Sequence, residues 1–203
     1  MKLPTIEECN KLIDEYKVPA NIRRHSEKVR RCAVFLAKKL IEKGEKINID
    51  LLERACILHD ILKTVKITHY DLFDSEPNEE TKRFYEKLKE KFKDMHHEDA
   101  AYEALKGKYP EVAEVIKKHR YVLILNGQLK TWEDKLLYYV DKRVMHDKIV
   151  DMKERLEEGQ KRYEHHHKKQ GVNPEEINPK IYELENFIFK KIGMSPGILN
   201  TLN

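Results

Sequence analysis

The sequence predicts an all-α protein. Three observations carry that expectation. Apolar residues recur at helical spacing along most of the chain, no stretch alternates apolar and polar residues as a half-buried strand would, and glycine, proline, asparagine and threonine punctuate the periodic segments. A first helix is expected from about Thr5 to Tyr16 and a second from Asn21 to Lys43, where Gly44 is placed to end it. A third is expected over Ile49 to Lys63, followed by a turn-rich loop from Thr64 to Pro77. Further helices are expected over Pro77–Lys91, Asp94–Lys106 and Pro110–His119, because proline is well tolerated in a first helical turn, where its missing N–H costs nothing. Tyr121 to Lys130 reads as a loop. Thr131-Trp132-Glu133-Asp134 looks like a capping box opening a long helix that continues past Arg155 toward His167. Gly171 to Pro179 reads as a linker, and Ile181, Leu184, Ile188 and Ile192 mark one face of a last helix over Lys180–Ile192.

Composition narrows the class. The chain has 203 residues, of which 40% are hydrophobic and 37% charged, enough apolar material for one core and too much charge for a membrane protein. No apolar run approaches the roughly 20 residues of a membrane span. The N-terminal segment MKLPTIEECNK lacks the apolar core of a secretory signal, so a cytoplasmic protein is expected. Forty basic residues against 36 acidic ones give a net charge of +4, but the signs are interspersed and lend little support to nucleic-acid binding. Cys9, Cys32 and Cys56 are scattered, form no CxxC pair, and read as small core residues.

The informative residues are polar ones on apolar faces. His25 extends the stripe Val29, Ala33, Leu36, Leu40 by one turn. His59 lies on the stripe Leu51, Ala55, Leu58, Leu62, and Asp60 follows it. His119 ends the run Val112, Val115, Ile116, and Leu137 and Val144 flank Asp141. A single histidine so placed is ordinarily a hydrogen-bonded core residue. Several imidazoles and two carboxylates converging from different helices need more compensation than that, because a lone buried carboxylate is costly. A metal ion fits the set. Imidazole nitrogen with carboxylate oxygen suits Fe, Mn, Zn, Co or Ni, and the lack of thiolates argues against a structural zinc.

In order, His25, the adjacent pair His59-Asp60 and the distant Asp141 resemble the H…HD…D signature of the HD-domain superfamily of metal-dependent phosphohydrolases. The surrounding text, RRHSEKV, ACILHDILK and LLYYVDKRV, is similar to the HDIG-type branch, and the resemblance runs from Asn21 to Arg155. It implies an HD helical bundle over 21–155, to which the periodicity adds an N-terminal helix over residues 1–20 and a C-terminal helical extension over 156–203, expected to pack on the same domain because the intervening linker is short. It further implies that His25, His59, Asp60 and Asp141 hold one divalent metal. Binuclear members carry two more histidines between the pair and the last aspartate. Here these are His96 or His97, then His119, with Asp60 as the bridge. His96 is favoured because Ala100 stands four residues on; His97 is the rival, sharing a face with Ala101 and Leu105. One or two ions of Fe or Mn are expected first, with Zn, Co, Ni or Mg as alternatives.

The implied reaction is hydrolysis of a phosphomonoester or phosphoanhydride bond of a nucleotide or similar small phosphate compound by metal-activated water. Asp60 and Lys63 are then catalytic, and Lys63 and Arg143 contact the substrate phosphate. An ordinary helix-end lysine and an exposed ion pair are the competing readings of the last two. Arg24 is a weaker phosphate candidate. Ile-Leu follows the HD pair where the HDIG branch has Ile-Gly, and no GYP motif follows at the distance typical of cyclic di-GMP phosphodiesterases. His165-His166-His167 reads as a solvated basic helix end, and His69 and His146 as surface or loop residues. Tyr138 and Tyr139 could line the pocket, although tyrosines at helical spacing are more often core. The rival functions are a metal-containing nucleotide sensor or diiron oxygen-binding protein, and a helical bundle with no metal. A monomer or a homodimer is compatible with the sequence.

Overall fold

The structure, a computed structural model, describes residues 2–71, 73–164 and 173–203. It is predominantly α-helical, with one two-stranded hairpin among the described residues. Helix α1 (Ile6–Glu15) opens on a capping box in which Thr5 accepts from the Glu8 amide and Glu8 accepts from the Thr5 amide. Helix α2 (Ala20–Ile41) is the central rod. Its Val29, Cys32, Ala33, Leu36, Ala37 and Leu40 are all fully buried, because α3 (Ile49–Leu58) covers one side and α7 (Trp132–Asp141) another. Helix α4 (Glu79–Lys91) starts on the side chain of Asn78. Helices α5 (His97–Leu105) and α6 (Pro110–Lys117) pack on each other, and α6 packs on α3. Strands β1 (Val144–Met145) and β2 (Lys148–Ile149) pair antiparallel, Val144 opposite Ile149. Helices α8 (Met152–Glu164) and α9 (Pro174–Ile192) follow. The buried side chains form one continuous cluster that includes Ile177, Ile181, Ile188 and Ile192 of α9, so the last helix shares the core of the first ones. No described helix is long and apolar enough to cross a membrane. All three cysteines are buried free thiols.

Four expected boundaries move. First, α3 ends at Leu58, with His59 as its C-cap, rather than at Lys63. The chain then tightens through i→i−3 bonds (Ile61 to Leu58, Lys63 to Asp60) into a 3-10 turn over Lys63–Lys66. Second, α7 stops at Asp141 instead of running past Arg155. The Lys142 and Arg143 amides close back on Tyr139 and Val140, Val150 donates to Arg143, and the β-branched Val144 and Ile149 take the extended conformation they favour. Strands of two residues are too short to show alternation. Third, α9 begins at Pro174, six residues earlier than expected. Asn173 caps it, Pro174 supplies the first turn, and fully buried Ile177 anchors a segment that Pro179 had marked as linker. Its C-terminal Gly193 sits at φ 69°, the left-handed cap that glycine adopts without a Cβ penalty. Fourth, the stretch expected as loop after His119 contains a 3-10 turn over Tyr121–Ile124.

Candidate metal centre

Breaking α3 at His59 is what builds the site. The pair His59-Asp60 leaves the helix pointing inward between α2, α5, α6 and α7. Asp60 is 2% exposed and His59 is fully buried. His25 from α2 places Nε2 3.2 Å from Asp141 Oδ1 and 3.9 Å from Asp60 Oδ2. His59 Nε2 is 3.5 Å from both Asp60 Oδ2 and Asp141 Oδ1. On the other side of Asp60, Oδ1 is 3.1 Å from His97 Nε2 and 3.8 Å from His119 Nε2. Ligand bonds of about 2.0–2.2 Å place neighbouring donor atoms about 3 Å apart, so these spacings suit ligands around a cation. Two donor groups result, His25-His59-Asp60 and Asp60-His97-His119, and Asp60 belongs to both.

The ring nitrogens are sorted. Nδ1 of His25 lies 2.8 Å from the His146 carbonyl, Nδ1 of His59 lies 2.8 Å from the Cys56 carbonyl, and Nδ1 of His119 lies 2.5 Å from the Ile116 carbonyl. A carbonyl only accepts, so each Nδ1 carries the hydrogen and each Nε2 presents a lone pair to the centre. Nδ1 of His97 faces the Glu98 carboxylate at 3.2 Å instead. Oxygen partners on the outer nitrogen orient metal-binding imidazoles in this way. The inner atoms show the complementary need: His59 Nε2, His97 Nε2, His119 Nε2 and Asp60 Oδ1 are buried without a hydrogen-bond partner. Orphaned atoms this close together are expensive unless something is bound among them. A divalent cation on each side of Asp60 satisfies all of them, so the residues fit the group.

Burial would raise the Asp60 carboxyl, but the Lys63 ammonium 2.8 Å away outweighs it, with His59, and holds the carboxyl well below the usual carboxylate range. Asp141 is likewise held low against its burial, chiefly by Lys142 and then by His25 and His59. Burial pushes the His119 imidazole down, whereas at His59 the Asp60 and Asp141 carboxylates outweigh burial and push it up. Glu98, 6% exposed, is lowered to about 2 despite its burial, by His97 and His119. Lys63 Nζ sits 2.8 Å from Asp60 Oδ2 with a side chain 40% exposed, so it reaches from the buried aspartate to the open pocket. Lys142 Nζ lies 3.0 Å from the His119 carbonyl, 3.4 Å from Asp141 Oδ2 and 3.7 Å from the centre of the Tyr138 ring, linking the two sides of the site.

A cavity of about 400 Å³ opens over His25, Asp60, Lys63 and Asp141, within the range of small-molecule sites. Ile22, Ile67, Phe73, Val144 and Met145 form its apolar wall. Arg24, Asp74, Asp147, Arg155 and Glu158 stand around it, with Arg24 bonded to both oxygens of Asp74 and to Asp147.

The structure therefore gathers His25, His59, Asp60, Lys63, His119 and Asp141 as the sequence suggested, and corrects two residues. His97, not His96, faces Asp60. Helix α5 starts at His97, so His96 is its N-cap with an extended backbone, and its ring is pushed down by burial and Arg120, outside both donor groups. Arg143 is not a phosphate clamp. It is 1% exposed, donates to the Val150 carbonyl at 2.7 Å and to the Tyr139 hydroxyl at 2.8 Å, and pairs with Glu185 at 3.1 Å. Tyr138 and Tyr139 are fully buried core residues, bonded to the Tyr121 carbonyl and Glu185. His69 and His146 are exposed, although the carbonyl of His146, in a backbone at φ 58°, holds His25. His165-His166-His167 lies outside the described residues. Glu98 and Lys142 escaped the sequence reading. The sequence offered for Glu98 only an acidic residue near a helix start, because its burial follows from the phase of α5. If the Asp60-His97-His119 group holds an ion, His97→Ala is expected to lower the metal content of the purified protein while His96→Ala leaves it unchanged, by elemental analysis; the reverse result would restore His96 as the ligand.

Compared with known families, curated proteins and solved structures, the chain matches none of them.

Proposed function

We propose that this chain is a metal-dependent phosphohydrolase of HD-domain type, with a binuclear site of Fe or Mn that cleaves a phosphate ester or anhydride of a small, nucleotide-like substrate. The observation that carries the reading is the double donor set around Asp60, with inward Nε2 lone pairs from four imidazoles beside a pocket that Lys63 enters. His25, His59, Asp60 and Asp141 would hold one ion, and Asp60, His97 and His119 the other. Bound divalent ions supply an activated water and polarise the phosphoryl oxygen. The chain's own groups do the rest. Asp60 and Asp141 stay ionised. The carbonyls of His146, Cys56 and Ile116 hold three imidazoles in the ligating tautomer. Lys63 keeps its charge, because Asp60 and Asp141 outweigh its burial, and presents an ammonium to a phosphate entering the pocket.

The test is metal content and turnover on protein purified without oxygen or chelator. About two equivalents of metal and release of phosphate from a panel of nucleotides and simple phosphoesters are expected. Exhaustive chelation should reduce turnover to background, since unassisted phosphoester hydrolysis is negligible, and added Mn or Fe should restore it. Bound iron with a redox-active diiron spectrum and no turnover of any ester would instead establish an oxygen-binding or sensing protein.

A further inference from the structure

Arg143 is a buried strut, so another cation must meet an anion in the pocket. Among the described residues, Arg24, Lys63 and Arg155 are the arginine and lysine side chains that line the cavity over His25, Asp60 and Asp141. Their donors are occupied to different extents. Arg24 gives both Nη atoms to the oxygens of Asp74 and Nε to Asp147, so both edges of its guanidinium are taken. Lys63 Nζ donates to Asp60 Oδ2 at 2.8 Å. Arg155 differs. It sits in the first turn of α8 with its side chain 21% exposed, and its Nη1 donates to Glu158 Oε2 at 3.1 Å. Neither Nε nor Nη2 has a hydrogen-bond partner among the described residues, and Nε is buried.

The hydrogens of Nε and Nη2 point the same way along one edge of the planar guanidinium. That edge matches two oxygens of a phosphate or carboxylate. A buried N–H without an acceptor is costly, so this edge gains from an oxyanion placed against it. Glu158 bonds the other terminal nitrogen and leaves the edge open. The long arginine stem lets the guanidinium turn toward a ligand without moving the backbone of α8.

Resting on the phosphohydrolase reading above, we propose that Arg155 is a substrate-binding residue, its Nε–Nη2 edge gripping two non-bridging oxygens of the phosphate at the metal centre. Its guanidinium stays charged and exchanges no proton with the substrate. It orients the phosphate and offsets its charge, while Lys63 meets the same anion from the 3-10 turn. A lysine in its place would bring the charge without the fork.

The experiment uses the full chain loaded with Mn, with Arg155→Met and Arg155→Lys alongside it. Calorimetry measures affinity for inorganic phosphate, and hydrolysis of p-nitrophenyl phosphate gives kcat and KM. Arg155→Met is expected to weaken phosphate binding and to lower kcat/KM by at least about 10-fold each, the loss of one charge-assisted pair. Arg155→Lys should recover only part of this. Metal content should be unchanged in both variants, because Arg155 belongs to neither donor group. Phosphate affinity and kcat/KM unchanged in Arg155→Met, full recovery in Arg155→Lys, or a loss accompanied by loss of metal would overturn the assignment and leave the phosphohydrolase reading intact. Phosphate binding that depends on Arg155, with no turnover of any ester, would keep the anion site and overturn the phosphohydrolase reading.

Discussion

On the proposed binuclear phosphohydrolase reading, Asp60→Asn is expected to strip the protein of both metals and reduce phosphoester turnover by more than about 100-fold. Replacing outer-sphere partners of metal ligands already costs about 10–100-fold in affinity or activity, and Asp60 is itself the residue common to both donor groups. The substitution keeps the shape of the side chain but removes a charge that the site needs twice. Each Asp60 oxygen has its own surroundings: Oδ2 is near His25, His59 and Lys63, and Oδ1 is near His97 and His119. An amide presents one oxygen and one NH2, so at least one side acquires a donor where a cation needs an acceptor. Elemental analysis after desalting reads the metal, phosphate release reads the activity, and a thermal melt confirms that the variant is folded. A folded Asp60→Asn protein that retains two equivalents of metal would remove Asp60 from the centre of the site. His59→Ala, which loses an imidazole 3.5 Å from an oxygen of each aspartate, should behave in the same direction.

The second large effect is on stability. Arg143→Ala is expected to destabilise the fold by about 3–5 kcal/mol, the usual cost of removing one partner from a buried pair. Its guanidinium ties three elements together at a point without solvent: the Tyr139 hydroxyl on α7, Glu185 on α9, and the Val150 carbonyl after the hairpin. Removal leaves the Glu185 carboxylate, 9% exposed, with only the Tyr139 hydroxyl, which donates to it at 2.6 Å. Denaturant unfolding followed by circular dichroism measures the loss. Replacing the pair together, Arg143→Met with Glu185→Leu, should recover a good part of it, because well-packed apolar side chains often match a buried ion pair. A variant Arg143→Ala of unchanged stability but abolished turnover would return Arg143 to the phosphate-binding role that its sequence position beside Asp141 suggested.

The contrast between His96 and Arg143 shows where reading a sequence stops. His96 was favoured by Ala100 four residues on, and Arg143 by its position two residues after Asp141. For His96 the question was helical phase, and one residue of phase rotates a side chain by about 100°, enough to exchange a ligand for its neighbour. The N-terminus of α5 is set by Asp94 at φ 63° and by burial of Ala100, Ala101 and Leu105 against α6, which are tertiary facts. For Arg143 the choice lay between a phosphate clamp and an exposed ion pair, and the end of α7 at Asp141 makes it a buried strut instead. The hairpin that ends it draws its stability from packing on α2 and from Asn203, which accepts from the Ile149 amide and donates to the Ile149 carbonyl. No local pattern over two-residue strands announces such contacts.

The sequence by itself determined the all-α class, the central helix with its apolar stripe, and the convergence of His25, His59, Asp60, His119 and Asp141. Helical periodicity and the cost of burying unpaired charge leave few other places for those residues. Only the tertiary structure decided which of two adjacent histidines completes the second donor group, that Arg143 is a buried strut, and that Glu98, Lys142 and three backbone carbonyls orient the ligands. Those outcomes depend on where helices stop and on which atoms meet across the core, and the energies that settle them come from contacts between residues far apart in the chain.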